Sequence, residues 1–125
     1  MQRTRRVGDG EVGAGAAGEM IMALAHTGAH IVAGTDTPNP ASLHAELMAY
    51  VAAGMTPYEA LRTATVTPAA ALGLDAGSIE PGKLVDLVIV DGNPLERIGN
   101  ARRVRSVIAN GRVISLGELL GGGGR

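Results

Sequence analysis

The residue pattern predicts an α/β chain, with helices and one buried strand first and antiparallel strands last. Three observations lead there. A short apolar run with β-branched residues, 30–34, precedes three helix patterns between residues 42 and 72. The stretch VDLVIVD, residues 85–91, then switches from helical to extended texture. Finally, Asn110-Gly111 divides residues 104–114 into two strands, because a type I′ hairpin turn needs positive φ at both central positions.

Each element has a local justification. Residues 1–18 hold five glycines and no hydrophobic period, which predicts a flexible lead-in. Glu19 to His26 reads as a short helix with Met20, Ile21, Leu24 and Ala25 on one side, and Gly28 is placed to stop it. His30 to Gly34 suits a buried strand of the parallel type. A loop over residues 35–41 carries Pro38 and Pro40, and Ser42 is a candidate N-cap for a helix to about Ala53, with Gly54 after it. Thr56, Pro57 and Glu59 spell a capping box with proline at the first helical position, opening a helix to about Thr65. A third helix runs from Thr67-Pro68 to Leu72 and stops at Gly73. After the strands, GELLGGGGR predicts a second flexible segment over residues 117–125, since consecutive glycines hold no structure.

Composition narrows the classes. The 125 residues suffice for one modest domain, and a net charge of −1 argues against nucleic acid as a partner. Two arginine clusters, Arg3/Arg5/Arg6 and Arg102/Arg103/Arg105, read as solvated surface. The absence of cysteine excludes disulfides and thiolate metal sites and fits a reducing cytoplasm. No apolar run approaches the ~20 residues of a membrane span, and no apolar segment follows the N-terminal arginines until Met20, so a secretory signal is not expected. Aromatic residues make up only 2%, so Ala, Val, Leu, Ile and Met must build the core without the area that rings supply. A free-standing domain of this kind would be marginal, which suggests part of something larger.

Three motifs carry a family resemblance over roughly residues 19–114. They are GTD at 34–36, the helices of GMTPYEALRTATVTPAAALGL, and GSIEPGKLVDLVIVDGNP. Together they resemble the C-terminal end of the amidohydrolase superfamily, in its imidazolonepropionase-like and prolidase-like branch. Val85 departs from the alanine often found there. The resemblance implies a (β/α)₈ barrel with a small composite β-sandwich. Residues 30–34 would be the eighth barrel strand, residues 42–72 the helices after it, and residues 78–114 the C-terminal share of the sandwich. The implied domain division is 1–18 lead-in, 19–76 barrel, 77–116 sandwich and 117–125 tail.

The resemblance also assigns Asp36. A carboxylate at the C-terminal mouth of a barrel strand sits where such enzymes place their chemistry. The family uses this aspartate as a metal contact and as general acid/base in hydrolysis of a carbon–nitrogen bond, with a divalent metal, expected to be zinc. From the residues alone, Asp36 reads instead as a turn cap acting through Thr37 and Asn39. His44, in the first turn of the next helix, is a candidate substrate contact by the same resemblance and a surface histidine without it. His26 and His30 are four apart, but Gly28 breaks the helix that would align them on a metal. Glu46 and Glu59 read as acids that favour a helix start, and Lys83 as a turn residue.

One carboxylate does not complete a zinc site, which takes about three protein ligands. The family's other ligands, a His-x-His, a lysine or acid, and further histidines, lie on strands with no counterpart here. The expectation is therefore the C-terminal part of a metal-dependent amidohydrolase acting on a small amide, inactive as this chain alone. The chain would be a gene fragment, the product of a mispredicted start or half of a split enzyme. It would be completed by the missing barrel portion or a partner chain. The alternative is a non-catalytic remnant or interaction module that pairs with another chain.

Overall fold

A computed structural model describes residues 11–121. The arginine cluster at 3–6, the first ten residues of the expected lead-in and residues 122–125 lie outside the described residues. The elements in chain order are α1 (Glu11–His26), α2 (Ala41–Ala53), α3 (Pro57–Thr63), α4 (Val66–Leu72), β1 (Leu87–Val90), a 3₁₀ turn (Ile98–Arg102), β2 (Val104–Ala109), β3 (Arg112–Ser115) and α5 (Leu116–Gly121).

The helical half is built on one buried cluster. Leu47 and Tyr50 of α2, Met55, Ala60 of α3 and Ile98 of the 3₁₀ turn form it, and Ile21, Met22 and Ala25 of α1 pack against it. Gly18 lets α1 approach α2 closely, since a Cβ there would stand 3.1 Å from the Cβ of Ala53. The first helix begins at Glu11 and not at Glu19, so the glycine-containing sequence before Glu19 is helical from residue 11 where a flexible lead-in was expected.

The capping box of α3 forms as the sequence predicts. The Thr56 hydroxyl accepts from the Glu59 N–H at 3.2 Å, and the Glu59 carboxylate accepts from the Thr56 N–H at 2.7 Å. The helix ends at Thr63, two residues before the expected boundary. A second box, legible from its spacing, follows β3. Ser115 and Glu118 have the same three-residue spacing, and the Ser115 N–H donates to Glu118 at 2.8 Å. It starts α5 inside the segment expected to be a flexible tail.

The sheet has the order β1-β2-β3, antiparallel throughout. Asn110 and Gly111 adopt φ of 50° and 76°, the two positive values the turn requires. Asp86, in the VDLVIVD motif, holds that turn: its carboxylate accepts from the Asn110 N–H at 2.7 Å. Arg105 is an extra residue in β2, because Ile89 pairs with Ser106 while Val90 pairs with Val104. The resulting bulge aims Arg105 at Asp91, with which it forms an ion pair. Arg102 and Arg103 are exposed, as expected of surface arginines. Lys83 closes its turn, 2.6 Å from the Glu80 carboxylate.

The expected strand at 30–34 does not form a ladder. Residues 29–35 belong to neither helix nor strand, and the Ala33 N–H donates to the Thr63 carbonyl at 2.8 Å. A strand exists only with a partner, and no described strand lies beside this one. The burial pattern is nevertheless that of a strand. Ile31 and Ala33 pack on the core while Val32 faces out.

Gly77 locks the first sheet-side turn onto the junction of α3 and α4. Its φ is +86°, and a Cβ would lie 2.6 Å from the Thr65 carbonyl oxygen. Gly77→Ala is expected to cost about 1–3 kcal/mol through the backbone conformation, plus the clash. Gly99→Ala, which meets nothing within 4 Å, should be close to neutral. Urea unfolding of the two variants makes the comparison. Thr56→Ala should lower stability by about 1 kcal/mol at neutral pH. Hydrogen bonds from the Thr56 backbone, then from its hydroxyl, hold the Glu59 carboxyl below the usual carboxylate range. The Glu59 contribution is therefore present at neutral pH and lost as pH falls through that lowered value; Thr56→Ala keeps the backbone donor, so wild type and variant should both lose stability in acid, while most of the gap between them, which comes from the Glu59 N–H bond to the Thr56 hydroxyl, should persist.

Candidate active site

The GTD motif begins where the 29–35 segment leaves the core. Ile31 and Ala33 anchor it, Gly34 and Thr35 are exposed, and Asp36 to Pro38 form an exposed bend. Asp36 lies in that bend, exposed, and its carboxylate accepts no hydrogen bond from the described residues. The turn-capping task belongs to Asn39 and not to Asp36. The Asn39 side chain accepts from the Ala41 N–H at 3.0 Å, and its carbonyl accepts from the Ser42 N–H at 3.0 Å. Ser42 is thus inside the helix and not its N-cap. Its hydroxyl accepts from the Thr37 hydroxyl at 2.8 Å, which fastens the far side of the bend to α2.

The near side of the bend is also held by α2, through Glu46. The Gly34 N–H donates to Glu46 Oε1 at 3.3 Å. The Tyr50 hydroxyl, one helical turn further on, donates to the same oxygen. Glu46 therefore sits mid-helix, with its carboxylate engaged, and is not the helix-start acid that its sequence context suggested. The i, i+4 spacing of a glutamate and a tyrosine was a readable signal for this pair. Its connection to Gly34, twelve residues earlier, was not.

Tyr50 is 6% exposed. Burial, the hydrogen bond to Glu46 and the Glu46 charge, in that order, push its hydroxyl up to about 12 from an ordinary value of 10. All three disfavour the phenolate.

His44 occupies the first turn of α2 and is half-buried, with no hydrogen bond to Asp36. His26 ends α1, and His30 follows the break at Gly28. Both line a cavity of about 250 Å³ with Met55, Glu59 and Arg62. Glu59 is committed to the capping box, and Arg62 stacks on Tyr58 with its guanidinium carbon 5.7 Å from the ring centre. Among the described residues, no three His, Asp or Glu side chains are grouped so as to hold a metal ion. The residues present do not by themselves make a metal centre. No described helix is long and apolar enough to cross a membrane.

A helical layer joined to an antiparallel sheet, with an exposed acid in a fastened bend, invites comparison with known hydrolases. Residues 17–114 match the model of the Amidohydrolase family, and the chain belongs to that family. It is 44% identical over 63 residues to an adenine deaminase of Methanosphaera stadtmanae, covering 49% of this chain and 10% of that protein. It is 41% identical over 86 residues to an imidazolonepropionase of Sphingopyxis alaskensis, covering 62% of this chain and 21% of that protein. Among solved structures, a Xaa-Pro dipeptidase with methionine bound in its active site superposes with a TM-score of 0.71 at 31% identity, over 81% of this chain and 25% of that one. The chain thus spans a tenth to a fifth of the length of these curated relatives and a quarter of the dipeptidase.

With no tryptophan and only two tyrosines, tyrosinate absorbance reads Tyr50 cleanly once Tyr58 is replaced. In Tyr58→Phe, the remaining phenol should ionise near 12. Because the folded value is raised, the contribution of Tyr50 is intact below its ordinary value of 10 and is lost as pH rises from 10 to 12. Stability should fall there by up to about 1.4 kcal/mol per pH unit. Tyr50→Phe should remove that component of the slope.

Proposed function

We propose that this chain is the acid-bearing portion of a metal-dependent amidohydrolase that cleaves a carbon–nitrogen bond in a small amide, cyclic amide or dipeptide-like substrate. The observation that carries the reading is the exposed carboxylate of Asp36, held in a bend at the end of a core-anchored segment, in a chain of the Amidohydrolase family. The adenine deaminase, imidazolonepropionase and Xaa-Pro dipeptidase relatives are named for reactions at carbon–nitrogen bonds, which supports the bond class.

In this reading Asp36 is the general acid/base. Its carboxylate takes a proton from the attacking water and returns it to the leaving nitrogen, so charge does not accumulate on either. A divalent ion, zinc by family resemblance, supplies Lewis acidity when bound. Asp36 is the donor assigned to it among the described residues, and the remaining ligands come from polypeptide outside them. His44, at the start of α2, contacts substrate. Residues 19–76 belong to the barrel and 77–116 to the sandwich. The exposed apolar side chains of Leu72, Ile79 and Leu120, at 73%, 86% and 80% exposure, support burial against further polypeptide, either the missing barrel or a partner chain.

The purified 125-residue chain is expected to hydrolyse no dipeptide or cyclic amide with zinc present. Hydrolysis by it that Asp36→Asn abolishes would show that the chain suffices. The catalytic assignment is tested by exchange into the imidazolonepropionase of Sphingopyxis alaskensis, replacing the matching segment with this one. The chimera should turn over that enzyme's substrate, and Asp36→Asn should lower kcat by about 10²–10⁴. An Asp36→Asn chimera as active as its parent sinks the assignment.

A further inference from the structure

We propose that Glu46 is a positioning residue for Asp36, held by Tyr50, and that this pair sets the bend from which the acid acts. The functional meaning rests on the reading of Asp36 as the acid. The mechanical part stands on geometry alone.

Asp36 has no side-chain partner among the described residues, so its place is decided by its backbone. That backbone is fastened on both sides to one helix. Before it, the Gly34 N–H donates to Glu46 at 3.3 Å. After it, the Thr37 hydroxyl donates to Ser42 at 2.8 Å. The second tie joins two exposed or half-exposed hydroxyls near the helix start. The first reaches the core, because Tyr50 both donates to Glu46 and is buried with Leu47, Met55, Ala60 and Ile98. A side chain in the core thus fixes a carboxylate, the carboxylate fixes a backbone amide, and that amide lies two residues before the acid.

A carboxylate suits this task for two reasons. One of its oxygens accepts from two donors at once, and its charge strengthens both bonds relative to a neutral acceptor. A glutamate also spans from the helix to the loop, which a shorter acid would not. Small errors in the place of a reacting group are expensive, and a group on a loop reaches the needed accuracy only if a rigid element holds it.

The test uses the full chain, isotopically labelled, with hydrogen exchange at the Gly34 amide as the readout and the buried Ala60 amide as the control for folding. Glu46→Ala should speed Gly34 exchange by about tenfold, the factor that one hydrogen bond of ordinary strength carries, with Ala60 unchanged. Glu46→Gln keeps an acceptor without the charge, so Gly34 protection should be largely retained. In the Tyr58→Phe background, both variants should bring the Tyr50 ionisation down from about 12. Gly34 exchange in Glu46→Ala equal to wild type, in a chain whose Ala60 amide remains protected, overturns the tie. If Glu46→Ala exposes Ala60 as well, Glu46→Gln decides. Gly34 exchange modestly faster than wild type, with a lowered Tyr50 ionisation and Ala60 still protected, supports the tie, and Gly34 exchange and Tyr50 ionisation both equal to wild type overturn it. In the imidazolonepropionase chimera, Glu46→Ala should lower kcat with little change in KM, and Glu46→Gln should restore much of it. If Asp36→Asn leaves the chimera active, the reading of the acid fails while the exchange result still stands. If Asp36→Asn silences it and Glu46→Ala does not slow it, the positioning role fails.

Discussion

Burial of one face of α2 is the constraint on which the described structure depends. Leu47 and Tyr50, 3% and 6% exposed, meet side chains from every neighbouring element. α1 lies against them, the 29–35 segment crosses them, α3 packs beside them, and Ile98 brings the sheet side of the chain onto the same cluster. Without α2 these parts have no common surface. The bend that carries Asp36 shares this dependence, because both of its side-chain ties end on α2.

The cluster is small for what it organises. Seven of the described residues are buried, and the chain has almost no aromatic area to enlarge the core. Large apolar side chains stay exposed on α4, on the turn before β1 and on both outer strands, including Leu72, Ile79, Val88 and Val113. Local devices carry more of the burden in such a molecule: two capping boxes, an aspartate that holds a hairpin turn, and a glycine that lets one backbone cross another. Most of these lie within the three motifs that resemble the amidohydrolases. Part of what those motifs preserve is therefore folding chemistry. In GSIEPGKLVDL, for example, Gly77, Lys83 and Asp86 each have a structural task.

Legibility followed the range of the interactions. Helices α2, α3 and α4, the hairpin and β1 were readable because their signals lie within a few residues: Thr56 with Glu59, Asn110 with Gly111, and the apolar run Leu87–Val90 between two aspartates. The start of α1 was not legible, because the glycines before Glu19 are poor helix formers and the close approach of Gly18 is to Ala53, some 35 residues away in sequence. The strand expected at 30–34 shows the converse. Its pattern of inward Ile31 and Ala33 was correct, but a ladder depends on a neighbour that no local pattern supplies.

The sequence by itself determined helices α2 to α4, β1 and the hairpin, the family and the presence of an acid at position 36, since composition, caps and turn residues act over short range and motifs are linear. Only the tertiary structure decided that Asn39, and not Asp36, caps the turn, that Glu46 faces Gly34, and that Tyr50 joins that contact to the core. Those outcomes depend on which helix face is buried and on what it meets across twelve residues of chain. Packing of the whole core chooses that face.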